Sequence, residues 1–438
     1  MLESRRKRYL SGSDWVITAL DHLLKATTCS GNICQVVLQL DSVLDEAAFR
    51  AHLNRFAAQF PVLQGRVTRD MLLAPYWKIP SSLKREISLQ VSPLDDLSSS
   101  RELLPELIRI ARLPFRDEHE HIAFHLFSDS RRSALVMRFD HRLFDARGAE
   151  SFLNRLQQSL HDPNPDGPMS FRSSIALTGW RRKFQAGTNV NRRIIALSRS
   201  TPRALPLRTG PDKSFGYRLL CFDQRETAAM YDKADRMAGY LMESPFILAA
   251  VTLSLHDLFD LRSDRGESYL VPVTMDLRTG REPLKELFFN HVSYLFYQVP
   301  VQLGANLGEL VTQFKQQMYD QVKSGFARDL AEASLLSRIA PLPLMGRLMH
   351  VPLKGKMASF VFSHLGRSAF QSPEFMGRRV DNLLHLPRVP APPGLGFFSS
   401  LFNDRLTLCI AHLDGLLEEQ ELDLLERALR RNLGAEPS

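Results

Sequence analysis

The stretch Phe139-Asp140-His141-Arg142-Leu143-Phe144-Asp145-Ala146-Arg147-Gly148 sets a histidine and a carboxylate four positions apart. It follows an apolar, strand-like run, Ala134 to Met137, and leads into a helix-like segment, Ala149 to Leu160. A histidine at a strand end can present one ring nitrogen to a cleft. Imidazoles ordinarily titrate at about pH 6.5, so a neutral one can take a proton near neutrality. An aspartate one turn later can shape the loop, but a buried carboxylate needs a partner. HxxxD by itself is a common pattern and names no chemistry.

Outward from this motif the chain reads as mixed α and β. Before it, Gln35 to Leu40 alternates like a strand, and Asp45 to Phe60 spaces Phe49, Leu53, Phe56 and Phe60 as one helical face that ends at Pro61. Ile122 to Phe127 and Ala134 to Phe139 predict two strands around a polar turn. After it, residues 161–215 carry Pro, Gly and a basic run, Trp180 to Arg193, and read as a linker between two lobes. The second lobe predicts strands at Gly216–Phe222, Tyr269–Thr274, Val292–Val301, Phe360–Ser363, Gly394–Ser399 and Arg405–His412. Helices are predicted at Arg225–Met237, Pro245–Leu258, Leu307–Val322 and Glu418–Leu433. The expected units are thus 1–160, a linker at 161–215, and 216–438.

With 438 residues, 44% of them hydrophobic, the chain can bury a large core. Its four cysteines, Cys29, Cys34, Cys221 and Cys409, form no CxxC pair and no disulfide framework, which fits a reduced, cytoplasmic protein. No apolar signal core follows the basic N-terminus, and the longest apolar stretch, Phe246 to Leu255, is short of the roughly 20 residues that span a bilayer. The net charge of +8 suits an anionic partner: a nucleotide-bearing co-substrate, an acidic carrier protein or a membrane surface. Nucleic acid would share the charge, but no binding module supports it. His119, His121 and His125 have strand spacing and could share one face, yet no fourth ligand stands near them, so no metal site is expected.

Several blocks, in order, resemble the CoA-dependent acyltransferase superfamily, which includes chloramphenicol acetyltransferase, condensation domains, wax ester synthases and polyketide-associated acyltransferases. DHRLFDARG stands where the family has HHxxxDG. Phe60 to Arg66, Val271 to Arg278, Asn290 to Ser293 with Val299 to Val301, Phe362 to Gly366, and Leu406 to Leu433 are similar to its later segments. Asp140 replaces the family's first histidine, the glycine that normally follows the aspartate is displaced to Gly148, and no DFGWG-like motif is present.

The resemblance implies two chloramphenicol-acetyltransferase-like α/β lobes in a V with a tunnel between them. It implies His141 as general base and Asp145 as a structural residue paired with Arg278. Asn290, Ser293 and Ser363 are implied as tunnel-lining polar groups, one of which helps hold an oxyanion. No permanently bound cofactor follows from it; acyl-CoA or a phosphopantetheinyl acyl carrier would be co-substrate, and an alcohol or amine the acceptor. A carrier-dependent, amide-forming condensation enzyme and an inactive, ligand-binding relative remain open. Acyl-CoA against acyl-carrier donors would separate the two enzymes; the inactive reading is tested by whether His141 lines a tunnel open at both ends, with Asp145 turned toward an arginine.

Overall fold

A computed structural model describes residues 6–27, 30–97, 100–162, 179–206, 214–262, 266–278, 287–350 and 358–435. The elements run β1 (Lys7–Tyr9), α1 (Gly12–Thr27), β2 (Ile33–Leu40), α2 (Glu46–Ala57), β3 (Arg66–Arg69), β4 (Pro75–Lys78), β5 (Ser88–Pro93), α3 (Ser100–Ala111), β6 (Ile122–Ser128), β7 (Ser133–Asp140) and α4 (Ala146–Gln158). Then come α5 (Trp180–Leu197), β8 (Phe215–Cys221), α6 (Gln224–Ala238), α7 (Glu243–Leu261), β9 (Ser268–Asp276), β10 (Val292–Pro300), α8 (Leu307–Ser324), α9 (Phe326–Ser334) and α10 (Leu342–His350). The chain closes with β11 (Val361–Arg367), β12 (Glu374–Phe375), β13 (Arg378–Leu386), β14 (Leu395–Phe402), β15 (Arg405–Leu413) and α11 (Glu419–Leu433).

Two six-stranded sheets carry the molecule. One has the order β12-β13-β2-β7-β6-β5 and the other β10-β9-β11-β14-β15-β8; a small sheet, β1-β4-β3, stands apart. In the first sheet only β5 and β6 run parallel; in the second, β11 is parallel to both β9 and β14. The motif strand β7 is central, flanked by β2 and β6, and all eight of its residues are buried. This is why its sequence reads as an apolar run rather than an alternation.

The expected lobe boundaries do not follow the sheets. β13 comes from the second half of the chain, yet pairs antiparallel with β2 (Val380 opposite Leu40, Leu386 opposite Gln35) and extends the first sheet. The first core also takes Leu287, Phe288 and Phe289 from the second half, where Phe288 packs against Phe60, Phe144 and Phe152. The described part of the expected linker 161–215 is not loop alone: it holds the 18-residue helix α5, packed on α9. The Pro-rich run from 163 to 169 lies outside the described residues. Helix α7 is long and apolar enough to cross a membrane by length and composition, but 67% of that window is buried, and it forms part of the second core.

Candidate functional site

β7 ends at Asp140, and His141 follows at the end of the sheet. Its amide donates to the Asn32 carbonyl at 3.0 Å, beside the start of β2. Asp140 is buried and stays within the first lobe. It receives His121 Nδ1 at 2.9 Å and Arg142 Nη2 at 2.6 Å, while His121 Nε2 meets the Gly65 carbonyl at 2.8 Å. Burial alone would raise the Asp140 carboxyl, but Arg142 and His121 hold it well below the usual carboxylate range. Asp140 thus serves as an anchor for the strand end.

Asp145 faces the other half of the chain. It N-caps α4, its Oδ1 accepting the Gly148 amide at 2.8 Å. The same oxygen receives Arg278 Nη2 at 2.8 Å, and Oδ2 receives the His291 amide at 3.0 Å. Burial opposes ionisation here too, but Arg278 outweighs it and holds the carboxyl down at about 2. The displaced glycine has its own reason. A Cβ on Gly148 would stand 2.4 Å from the Leu287 carbonyl oxygen, so only glycine lets the incoming 287–289 arm approach α4 this closely.

That arm delivers Asn290. The Phe289 amide donates to the Leu143 carbonyl, and the Asn290 amide donates to Asp14 Oδ1 at 2.9 Å. Asp14 is itself buried and paired with Arg8 at 2.7 Å, whose guanidinium lies 3.5 Å from the centre of the Phe289 ring. The Asn290 side chain is oriented by its donors: Nδ2 reaches the carbonyls of His141 (2.9 Å) and Arg142 (3.3 Å). Its Oδ1 therefore faces His141 Nδ1 at 3.1 Å. An amide oxygen only accepts, so Nδ1 carries the imidazole proton and Nε2 the lone pair. The basic nitrogen is fixed by a residue 149 positions away in sequence.

His141 borders two cavities. The smaller, about 140 Å³, is lined by residues of both halves, among them Arg147, Asp276, Ser363, His364 and His385. The larger, about 440 Å³, is mostly apolar and is lined by Trp15, Leu20, Val190, Ile194, Phe296 and Met345 among others. His141, Thr274, Tyr294, Pro387 and Phe398 are common to both, which puts the imidazole where they adjoin. Ser363 lines the smaller cavity with its hydroxyl 2.6 Å from that of Thr274. Two hydroxyls sharing one hydrogen bond leave one proton available for a third group.

Ser293 corrects the expectation. Like Asn290, which also was expected to line the tunnel, it lines neither cavity, and its buried hydroxyl donates to the Ala327 carbonyl at 2.7 Å. β10 alternates, so Val292, Tyr294 and Phe296 face the cavities and Ser293 faces α9. Of the three expected strand-sharing histidines, His119 and His121 precede β6; His121 serves Asp140, and burial lowers His125 to about 4. Among the described residues no group of three or more His, Cys, Asp or Glu gathers as a metal site.

Two histidines of the smaller cavity were not read from sequence. His385 Nε2 lies 2.7 Å from Glu150 Oε1, and Glu150 also accepts the Ala369 amide at 2.7 Å. His364 Nδ1 lies 2.8 Å from Ser399 Oγ; burial, with Arg147 nearby, lowers it to about 4 and keeps it neutral near pH 7. Glu150 carried a signal: a carboxylate among Ala149, Phe152 and Leu153 on a buried helix demands a partner.

No family model matches the sequence, and no curated protein matches it either. Solved structures do. Trichothecene 15-O-acetyltransferase from Fusarium sporotrichioides matches with a TM-score of 0.71 at 14% identity, over 98% of this chain and 94% of that one. The first condensation domain of the calcium-dependent antibiotic synthetase matches at 0.67 and 16%, over 98% and 97%. A cyclization-docking bidomain from Sorangium cellulosum matches at 0.65 and 14%, over 100% and 87%. The chain has the two-lobed fold these structures share.

Proposed function

We propose that the protein transfers an acyl group from a CoA or acyl-carrier thioester to a hydroxyl or amine, with His141 as general base. The observation that carries the reading is the position of His141 between two cavities, its Nδ1 proton committed to Asn290. Two substrates entering from opposite sides would meet at Nε2. The acceptor O–H or N–H gives its proton to Nε2 as its heteroatom bonds to the thioester carbon. The tetrahedral oxyanion takes a hydrogen bond from the Thr274–Ser363 hydroxyl pair. The C–S bond then breaks, and the leaving thiolate takes the proton back from the imidazolium. No acyl-enzyme forms, so no nucleophilic side chain is needed. Asp145 and Arg278 act as positioning residues that hold the two halves together around the base.

His141→Ala is expected to lower transfer at least about 100-fold, the low end for loss of a general base. The measurement is thiol release and product formation over a panel of acyl-CoA and acyl-carrier donors with alcohol and amine acceptors. Unchanged turnover in the variant would sink the mechanism. A folded wild type inactive with every pair would favour a binding role instead.

A further inference from the structure

Helix α5 has two faces of different character. Inward, Val190 and Ile194 line the larger cavity, Arg182 pairs with Asp329, and Arg193 donates to the Phe296 carbonyl at 2.7 Å. Outward, Trp180 (67% exposed), Phe184 (62%) and Ile195 (50%) stand in solvent beside the exposed Arg181, Arg192 and Arg199. Residues 179–206 contain no Asp or Glu. The cavity wall here is one helix thick, about 10 Å.

A second exposed apolar feature is tied to α5 through the 338–340 turn and α9. The tip of the β3–β4 hairpin carries Met71 (99% exposed), Leu72 (83%) and Leu73 (55%) in succession, and Leu73 adopts a left-handed φ of 62°. Such a conformation is costly for a leucine and marks a shape that the surroundings impose. Asp70 and Arg69 brace it: Asp70 Oδ1 accepts the Leu72 and Ala74 amides at 2.9 Å, and the Arg69 guanidinium donates to the Leu73 carbonyl at 2.7 Å and to those of Arg338, Ile339 and Ala340 at 3.2, 3.1 and 2.8 Å. The 338–340 turn, itself exposing Ile339, follows α9, and α9 packs on α5. Hairpin tip, turn and helix are thus linked in series through Arg69 and α9, and their exposed apolar side chains are read together as one strip. Large apolar side chains this exposed mark an interaction surface.

We propose that this strip docks the protein on an anionic lipid bilayer. Met71, Leu72, Trp180 and Phe184 enter the headgroup region, while Arg181, Arg192 and Arg199 meet lipid phosphates. An acidic protein surface could be met by the arginines alone. The projecting Met71–Leu72 apex needs a medium that takes apolar side chains and cations together, and an interface of lipid does so. Docking sets the larger apolar cavity against the membrane with α5 as the partition, so its ligand is a lipidic chain drawn from that surface.

The test is cosedimentation of the full chain with vesicles of phosphatidylcholine, alone or with phosphatidylglycerol added, at low and high salt. Binding to the anionic vesicles, weakened by salt, is expected. Met71→Asp with Leu72→Asp should lower partitioning at least about tenfold, given about 0.8 kcal/mol per buried methylene. Arg181→Glu with Arg192→Glu should lower it by roughly fivefold or more per charge. Circular dichroism and melting temperature confirm that each variant is folded. Failure to sediment with anionic vesicles overturns the proposal, as does binding indifferent to both variants. So does a strip that instead mediates self-association on size exclusion, or captures an acidic carrier protein while vesicles are ignored. Vesicle binding is read without turnover, so its outcome is independent of the acyl-transfer reading.

Discussion

Two carboxylates bracket His141, and both are buried: Asp140 is 3% exposed and Asp145 is 1% exposed. Asp140 finds its partners, His121 and Arg142, within the first half of the chain. Asp145 finds Arg278 and the His291 amide in the second half. One charge holds a strand end in place; the other joins the lobes across the cleft. The motif therefore sets His141 between a local anchor and a long-range one.

The largest effect is expected from Asp145→Ala. It takes from the Arg278 guanidinium, 4% exposed, its buried carboxylate and leaves it Asp276 at 3.2 Å; losing this pair together with the bonds to the Gly148 and His291 amides costs about 3 kcal/mol. Transfer should fall with it, because the 287–291 arm that carries Asn290 loses a tether. Chemical denaturation together with turnover measures both. Asp140→Ala should cost roughly 2 kcal/mol: Arg142 likewise retains a carboxylate, Asp21 at 3.7 Å, and the bonds lost, to His121 and Arg142, lie within the first half of the chain. Its turnover should stay within about tenfold of wild type, since the Asn290 contact is untouched. Equal loss of turnover in the two variants would erase the distinction between the anchors.

A smaller and finer test uses pH. The Asp145 carboxyl sits at about 2 in the folded protein, below the usual value of roughly 3.9. The unfolded chain therefore binds this proton more readily than the folded one. The stabilisation is complete above about pH 4 and is lost as pH falls through about 2. The stability gap between wild type and Asp145→Asn, up to roughly 2 kcal/mol, should close over that window. A gap that persists unchanged to its lower end would mean that Arg278 does not hold the carboxylate.

Local features were legible in the sequence. The run Ala134 to Phe139 is β7, Asp45 caps α2, and Leu422, Leu425, Leu429 and Leu433 are the buried face of α11. HxxxD located the junction of the cavities. Long-range pairings left no local mark. Nothing in Arg378–Leu386 says that it joins a strand more than three hundred residues earlier, because hydrophobic pattern fixes a strand's face and not its neighbour. Ser293 failed on phase: its strand was read, but the single-residue offset that decides which side faces the cleft was not. Asn290 entered as one polar residue among several, and only its two carbonyl contacts single it out.

The borrowed strand bears on the order of events at the ribosome. β2 and β7 leave the exit tunnel early, but β2 has an open edge until β13 follows. At about 5–20 residues per second, that wait lasts on the order of ten seconds or more. For that interval the nascent chain carries an unpaired sheet edge and a phenylalanine-lined core still lacking Phe288 and Phe289. Truncation before residue 386 would make the condition permanent. The protein is therefore built to be finished from its far end, and its first half is the part that needs guarding during synthesis.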